Sequence, residues 1–329
     1  METEKIAEQI IGEAENNEKK PKRKIKSANV YKNLFLFVML AYPVVQFLVF
    51  WLYVNIDSFA MSFQRFDISK GDYVFFGLNN FKTIFNSIFG PSPSPKYIYA
   101  LKNSLYVFLF NNFIIVPISV ICAYLLSKKV LGEKFFRVVF FLPSIISIVA
   151  MTMMYSFMFS MNYGPINKIL EFLHMEGLIP ANGWFGDEKT LFPLILLYCL
   201  WTGIGYNVLL LAGTIARVPQ EIIEAGQLDG VGILREFFNI VLPLIMPTVA
   251  TLFIMGTTSM FTFFLPSMLL AKGGPAGEAY TIAYLVVELT ERGTYNDAAA
   301  IGMLFTVIGV PIIMIVKHFM DKLVAKVEF

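Results

Sequence analysis

The sequence predicts an all-α polytopic membrane protein with six transmembrane helices, and three observations carry that prediction. The first is composition. Of 329 residues, 57% are hydrophobic before glycine is counted, where a soluble domain reaches about 45–50% with glycine included. Charged residues make up 15%, against about 25% expected. The second is the spacing of that scarce charge. Asp, Glu, Lys and Arg are absent from Asn33–Ile56, Asn103–Ser127, Val138–Asn167, Thr190–Ala216, Phe237–Ala271 and Ala298–Val316. A helix needs about 20 mostly apolar residues to cross the hydrocarbon, and a charge near its middle costs roughly 2.5–3.5 kcal/mol on insertion scales. Each gap is therefore a span, with expected bounds of about 33–56, 103–127, 138–161, 191–213, 244–270 and 298–317.

The third observation is loop charge, which sets orientation. With the N-terminus in the cytoplasm, inside segments hold 17 Lys and Arg residues and outside segments hold 9, as the positive-inside rule requires. The short Lys128, Lys129, Lys134, Arg137 loop weighs most. The expectation is N-in and C-in. Residues 1–32 form a charged cytoplasmic tail containing Lys19-Lys20-Pro21-Lys22-Arg23-Lys24 and do not read as a signal peptide. An Ile6, Ile10, Ile11 stripe suits a short surface helix, and a solvated tail fits the composition equally. Pro91 to Pro95 marks an external turn, because proline cannot continue a helix there. Cys122 and Cys199 fall inside expected spans and read as small packing residues, not a disulfide.

Several chemistries are excluded. A net charge of +2 provides no basic field for nucleic acid. The chain has no GxxxxGK[ST] phosphate loop, no HExxH and no Cys/His cluster of metal spacing. Lys272-Gly273-Gly274-Pro275-Ala276-Gly277 is glycine-rich but lacks the terminal Lys-Ser/Thr. His174 and His318 read as solvated or interfacial residues. Ionisable residues inside spans mark proton relays and ion-coupled carriers, and the six stretches hold none. The driving energy must come from outside the membrane.

Between the fourth and fifth spans, a segment over 217–243 has its own pattern. Pro219 stands where a helix can begin, since its missing N–H costs nothing there. Gln220 to Leu228 reads as a short helix, Asp229-Gly230 as a turn, and a second helix from about Ile233 runs through Pro243 into span five. The short helix has an apolar side (Ile222, Ile223, Leu228) and an exposed Glu224. On physics alone, an ordinary amphipathic loop helix fits as well.

Glu224, Ala225, Asp229, Gly230, Phe237, Ile240, Leu242, Pro243 and Pro247 match, in order and spacing, the EAA signature of bacterial ABC-importer permease subunits. One position departs: Gly226 replaces the second alanine. Further matches are Phe76 to Phe81, Asn103-Ser104-Leu105, Phe135-Phe136-Arg137, Phe141-Leu142-Pro143 and Gly164-Pro165-Ile166-Asn167. Trp184, Trp201, Leu211-Ala212-Gly213 and Gly273-Gly274-Pro275 continue the same order. The chain thus resembles the carbohydrate-uptake branch, of maltose and glycerol-phosphate type, over roughly 76–300.

That resemblance implies a type I importer permease fold in a bacterial cytoplasmic membrane and no cofactor. It implies a second permease subunit, two copies of a cytoplasmic ATPase and an extracytoplasmic solute-binding protein. ATP hydrolysis would lie on the partner, so this chain is expected to be non-catalytic. Glu224, Ala225, Gly226, Asp229, Gly230, Ile240, Leu242 and Pro243 would form the ATPase-coupling segment. Alignment on the Trp201 and Glu224-Ala225 anchors places Cys199, Thr202, Gly203 and Tyr206 along the substrate path. Alignment on Gly273-Gly274-Pro275 adds Gly256, Ser259 and Met260. Small and hydroxyl residues also mediate membrane-helix packing, so both roles stay open for these positions. Leu265 and Ala271 stand where relatives often carry Asp and Thr, so substrate identity does not transfer through this region. The expected cargo is a sugar or oligosaccharide. Glycerol phosphate or another small polar solute is the alternative within the family, and a stand-alone channel the alternative outside it.

Overall fold

The computed structural model describes residues 23–128 and 132–326, with side chains from Tyr31 onward. The expected Ile6, Ile10, Ile11 stripe lies outside the described residues. The chain divides into two compact units, Met1–Ala60 and Met61–Phe329, each described by itself.

The first unit is the start of one helix. It begins at Arg23, and its apolar part is α1 (Tyr31–Ser62). Phe35, Phe37 and Phe50 are all exposed, as are residues on every other face. A helix that is apolar all round suits lipid contact, not a water-facing surface. Within it, Phe47–Tyr53 takes a wider π-helical turn, and Phe47 stacks on Trp51 at 4.9 Å.

The second unit opens with the one pair of strands among the described residues, a departure from the all-helical pattern. β1 (Gln64–Asp67) pairs antiparallel with β2 (Asp72–Phe75), Gln64 opposite Phe75. Ser69 closes the turn by donating to Asp67 Oδ1 from its N–H (2.9 Å) and its hydroxyl (2.6 Å). Those bonds favour the carboxylate and hold the Asp67 pKa below its ordinary value. The helices that follow are α2 (Asn79–Phe89), α3 (Pro95–Ser127), α4 (Glu133–Ile145), α5 (Ile148–Met158) and α6 (Pro165–Phe172). Then come α7 (Glu188–Ile215), α8 (Gln220–Leu228), α9 (Ile233–Thr262), α10 (Leu265–Ala271), α11 (Ile282–Glu291) and α12 (Tyr295–Ala325).

Five described helices (α1, α3, α7, α9, α12) are long and apolar enough to cross a membrane, and the bent pair α4 and α5 is apolar enough only when the two are taken together, which brings the candidate spans to five or six. The single helix expected over 138–161 is thus two helices meeting at 109°. Pro143 removes a backbone donor from the last turn of α4. Ile146 (ψ 143°) and Ser147 (ψ 135°) are then extended, and α5 starts with the Met151 N–H donating to the Ser147 carbonyl at 2.9 Å. The span expected over 244–270 likewise stops at Thr262. Pro266 has no N–H to give the Thr262 carbonyl, so the chain bends through Phe263 and Phe264 before α10.

Three apolar clusters fill the second unit. One joins the later half of α3, the later half of α7 and the first half of α9 around Ala123, Leu211 and Ile245. Another packs α5 and the start of α7 around Met151, Tyr155, Leu191 and Tyr198. The third gathers α2, α11 and α12 around Ile84, Leu285 and Ile301. Asp187 begins α7 by accepting the Lys189 and Thr190 N–H groups at 3.1 Å. Asn103 donates from its amide to the Glu278 carbonyl (2.6 Å) and the Tyr280 carbonyl (2.8 Å), holding the loop after Gly273-Gly274-Pro275. Asn167 accepts the Trp184 indole N–H at 2.7 Å, so that motif pair anchors the chain ahead of α7.

Helix α7 passes closest to α4 at Gly205, where a Cβ would lie 2.0 Å from the Phe140 carbonyl oxygen. Gly205→Ala is expected to cost about 1–3 kcal/mol through forced backbone movement. Gly213→Ala, with nothing within 4 Å, is expected to cost nothing there. Thermal unfolding midpoints of the two variants in detergent check the difference.

Candidate transport cavity and coupling segment

A cavity of about 400 Å³ opens between α3, α7 and α9. It is lined by six of the seven expected path residues: Cys199, Thr202, Gly203, Tyr206, Gly256 and Ser259. Met260 is the exception. It is half-buried but does not line the cavity. Successive helical residues turn by about 100°, so with Ser259 facing the cavity the next side chain faces away. Met255 lines it instead.

Asn111, Asn207 and Thr262 also line this cavity and were missed from the sequence. The Asn111-Asn112 pair was the available signal, since two amides in mid-span are rarely idle. Both lie in a π-helical turn, Asn111–Ile115, within α3. That turn brings Asn111 into hydrogen-bond reach of Ser259 Oγ (3.5 Å) and Asn112 into reach of Thr257 Oγ1 (3.3 Å). Asn112 Oδ1 is buried with no hydrogen-bond partner among the described residues, and it faces Gly256. A Cβ on Gly256 would lie 2.2 Å from that oxygen, so Gly256 both lines the cavity and lets α9 close on α3. Gly203 likewise sits against Ile115, at 3.4 Å from an added Cβ.

The Thr202 hydroxyl donates to the Tyr198 carbonyl (2.9 Å), and the Ser259 hydroxyl to the Gly256 carbonyl (2.6 Å). Their lone pairs, the Asn amides and the Tyr206 ring remain for a ligand. None of the lining residues is charged. Tyr206 also borders a second cavity of about 440 Å³ lined by Thr214, Arg217, Thr248 and Thr251. The two spaces therefore meet at one aromatic side chain.

Below that second space lies the segment 217–243. Pro219 caps α8, and Gly230 ends it at φ +74°. Val231 N–H donates to the Gly226 carbonyl and Gly230 N–H to the Gln227 carbonyl, both at 3.0 Å. These two bonds are the Schellman pattern, which needs a left-handed residue at the Gly230 position. Gly226 is buried, with an added Cβ only 2.7 Å from Ile240 Cδ1. The departure from alanine thus seats α8 on α9. Glu224, Ala225 and Asp229 are exposed, while Ile240, Leu242 and Pro243 are half-buried. The expected apolar side of α8 is packed only in part: Ile223 is half-buried, while Ile222 is 42% exposed and Leu228 90%. A third π-helical turn, Phe237–Val241, lies just ahead of Pro243, and α9 stays helical past that proline.

The fold and these two sites define a helical membrane permease with a surface segment that packs against one of its own spans. Residues 115–329 match the family described as binding-protein-dependent transport system inner membrane component. The chain belongs to that family and is a multi-pass inner-membrane protein. It is similar to the arabinooligosaccharides transport system permease protein AraP of Bacillus subtilis (strain 168), with 30% identity over 271 residues, 80% of this chain and 82% of that one. It is also similar to the probable ABC transporter permease protein YurN of the same strain, with 28% identity over 79% of this chain and 88% of that one. Among solved structures it resembles a chain of a bacterial ABC transporter involved in the import of the acidic polysaccharide alginate. The TM-score is 0.76 at 22% identity, covering 90% of this chain and 98% of that one. That likeness is one of fold.

Gly230→Ala is expected to destabilise the end of α8 by roughly 1–2 kcal/mol, the cost of a left-handed conformation with a Cβ. Gly226→Ala is expected to be tolerated, because the obstructing atom is the mobile tip of Ile240. Amide hydrogen exchange across 220–231 reads both outcomes.

Proposed function

We propose that this chain is the membrane permease subunit of an ATP-driven importer that carries a sugar or oligosaccharide across the cytoplasmic membrane. The observation that carries this reading is the continuity of α9. Its first turns hold Ile240, on which α8 sits, and its far half supplies Gly256 and Ser259 to the cavity. A push on α8 therefore acts on a cavity wall through one helix. In this reading residues 1–32 are a cytoplasmic tail, 33–329 the permease, and both termini face the cytoplasm. Glu224, Ala225, Asp229 and the exposed Ile222 and Leu228 dock on the ATPase. The exposed apolar residues then have a partner that covers them. Gly226, Gly230, Ile240, Leu242 and Pro243 shape the segment that presents them.

A second permease subunit completes the path, two ATPase copies bind beneath, and an extracytoplasmic binding protein delivers the solute. The relatives named for oligosaccharide transport support that cargo class. So does the cavity chemistry: sugar sites combine aromatic faces with a few placed hydroxyl and amide groups. An uncharged lining suits a neutral sugar better than a phosphorylated solute.

Glu224→Lys and Gly230→Pro are expected to abolish uptake in vesicles while leaving membrane insertion intact. Proline is confined to φ near −65° and cannot take the +74° found at Gly230. Normal uptake by a correctly inserted Gly230→Pro variant overturns the coupling assignment. The double variant Tyr206→Ala, Ser259→Ala is expected to lower uptake and shift its preference among oligosaccharides. Unchanged rate and specificity in a competition assay would remove those residues from the path.

A further inference from the structure

At the foot of α3 and α9 lies a buried ionic cluster that belongs neither to the exposed docking face nor to the cavity. The Glu236 side chain is only 4% exposed, and its carboxylate pairs with the Lys128 ammonium. The Tyr124 hydroxyl lies 3.3 Å from Glu236 Oε1 and 3.0 Å from the Ile233 carbonyl, both acceptors. The Tyr124 ring packs on Phe237 at 4.9 Å, and Lys128 Nζ lies over that ring at 5.4 Å. Lys128 immediately follows the last turn of α3, and Glu236 lies in the first turn of α9. Each charge thus also complements the macrodipole end on which it sits.

Stability alone is a weak reason for such a pair. A buried ion pair can often be replaced by apolar side chains of similar size at little cost, because desolvation offsets most of its attraction. What it does supply is a fixed relative position for two helix ends. Higher up, the same two helices are joined again by Asn111 with Ser259 and by Asn112 with Thr257. Helix α8 rests on α9 through Gly226 and Ile240, four residues beyond Glu236. Without a tie at the foot, displacement of α9 would be taken up by slippage against α3.

We propose that Glu236 is a positioning residue that locks α3 to α9, so that motion of α8 reaches both cavity walls together. The inference rests on the permease reading above and names a residue outside the recognised signature. Lys128, at 27% side-chain exposure, is the partner that can turn to water when the lock is broken.

The test uses the full transporter, with its second permease subunit, ATPase and binding protein, reconstituted in proteoliposomes. Glu236→Gln keeps the side-chain size and an acceptor for Tyr124 but removes the charge. Solute transported per ATP hydrolysed is expected to fall at least about fivefold, within the range of known coupling effects. The amount of assembled complex and its ATP hydrolysis are expected to stay near wild type. The exchanged pair Lys128→Glu, Glu236→Lys is expected to recover at least half of the lost transport. A wild-type transport ratio in Glu236→Gln overturns the proposal, as does a parallel loss of assembly and both activities.

A second measurement does not depend on the identity of the solute. Spin labels at positions 127 and 238, with Cys122 and Cys199 changed to Ala, report the spacing of the two helix ends. That spacing is expected to stay constant between nucleotide-free and ATP-bound states when Glu236 is present and to change in Glu236→Gln. A change with Glu236 present overturns the lock. If the spacing behaves as expected while the wild-type complex moves no carbohydrate, the cargo assignment fails and the lock stands.

Discussion

Lipid tails are as apolar as leucine, so helices in a bilayer gain little by hiding apolar surface from one another, and close packing must hold them together. In this chain that constraint falls on α3, which α7 and α9 approach through small residues. Gly203 meets Ile115 and Gly256 meets Asn112, while Gly205 brings α7 onto the Phe140 carbonyl of α4. At Gly205 and Gly256 a methyl group would overlap its neighbour outright. The buried side chains around Ala123, Leu211 and Ile245 fill what those approaches leave. The cavity is the part of the seam they do not fill. Gly203 and Gly256 line it together with the amides and hydroxyls of Asn111, Asn207, Thr202 and Ser259.

Proline shapes the spans in two opposite ways. At Pro143 and Pro266 the missing donor ends a helix, giving a 109° bend in one case and a short separate helix in the other. At Pro117 and Pro243 the helix continues. In both of those a π-helical turn precedes the proline by a residue, Asn111–Ile115 and Phe237–Val241. A wider turn relieves the clash between the proline ring and the preceding carbonyls. It also changes which face the following residues present.

The segment 217–243 is mechanically simple. Its turn is closed by two backbone hydrogen bonds at Gly230, Gly226 rests against Ile240 of α9, and Glu224 and Asp229 are exposed. Ile222 and Leu228 leave apolar surface exposed on this small helix. On the opposite side of the molecule, Asn103 holds the Gly-Gly-Pro loop through two carbonyls, and Glu288 pairs with Lys96 at 3.2 Å and with Arg292. Burial and the Glu288 carboxylate together raise the Tyr280 pKa above its ordinary value. Both ends of the span bundle are thus anchored by polar groups, while between them packing is supplemented by the Asn111–Ser259 and Asn112–Thr257 hydrogen bonds.

The amino-acid sequence alone determined the number and approximate place of the apolar stretches, because charge cannot sit in hydrocarbon without a partner. It also carried the family, through the order and spacing of Glu224, Asp229, Gly230, Phe237 and Pro243, and the turn that Gly230 makes. The spans expected over 138–161 and 244–270 ran through Pro143 and Pro266 unbroken, because hydropathy over a window cannot distinguish a broken apolar helix from a whole one. Only tertiary structure decided which side each helix presents. Met260 lost its place in the cavity to Met255 because the phase of α9 is set by contact with α3. Gly226 is buried against Ile240 while Ile222 and Leu228 stay exposed, a division that the apolar pattern of α8 did not show. Glu236 read as one more loop charge until the fold placed Lys128 and Tyr124 around it. Periodicity describes a helix by itself, but its orientation is fixed by contacts with other elements of the chain, and those exist only once the chain has packed.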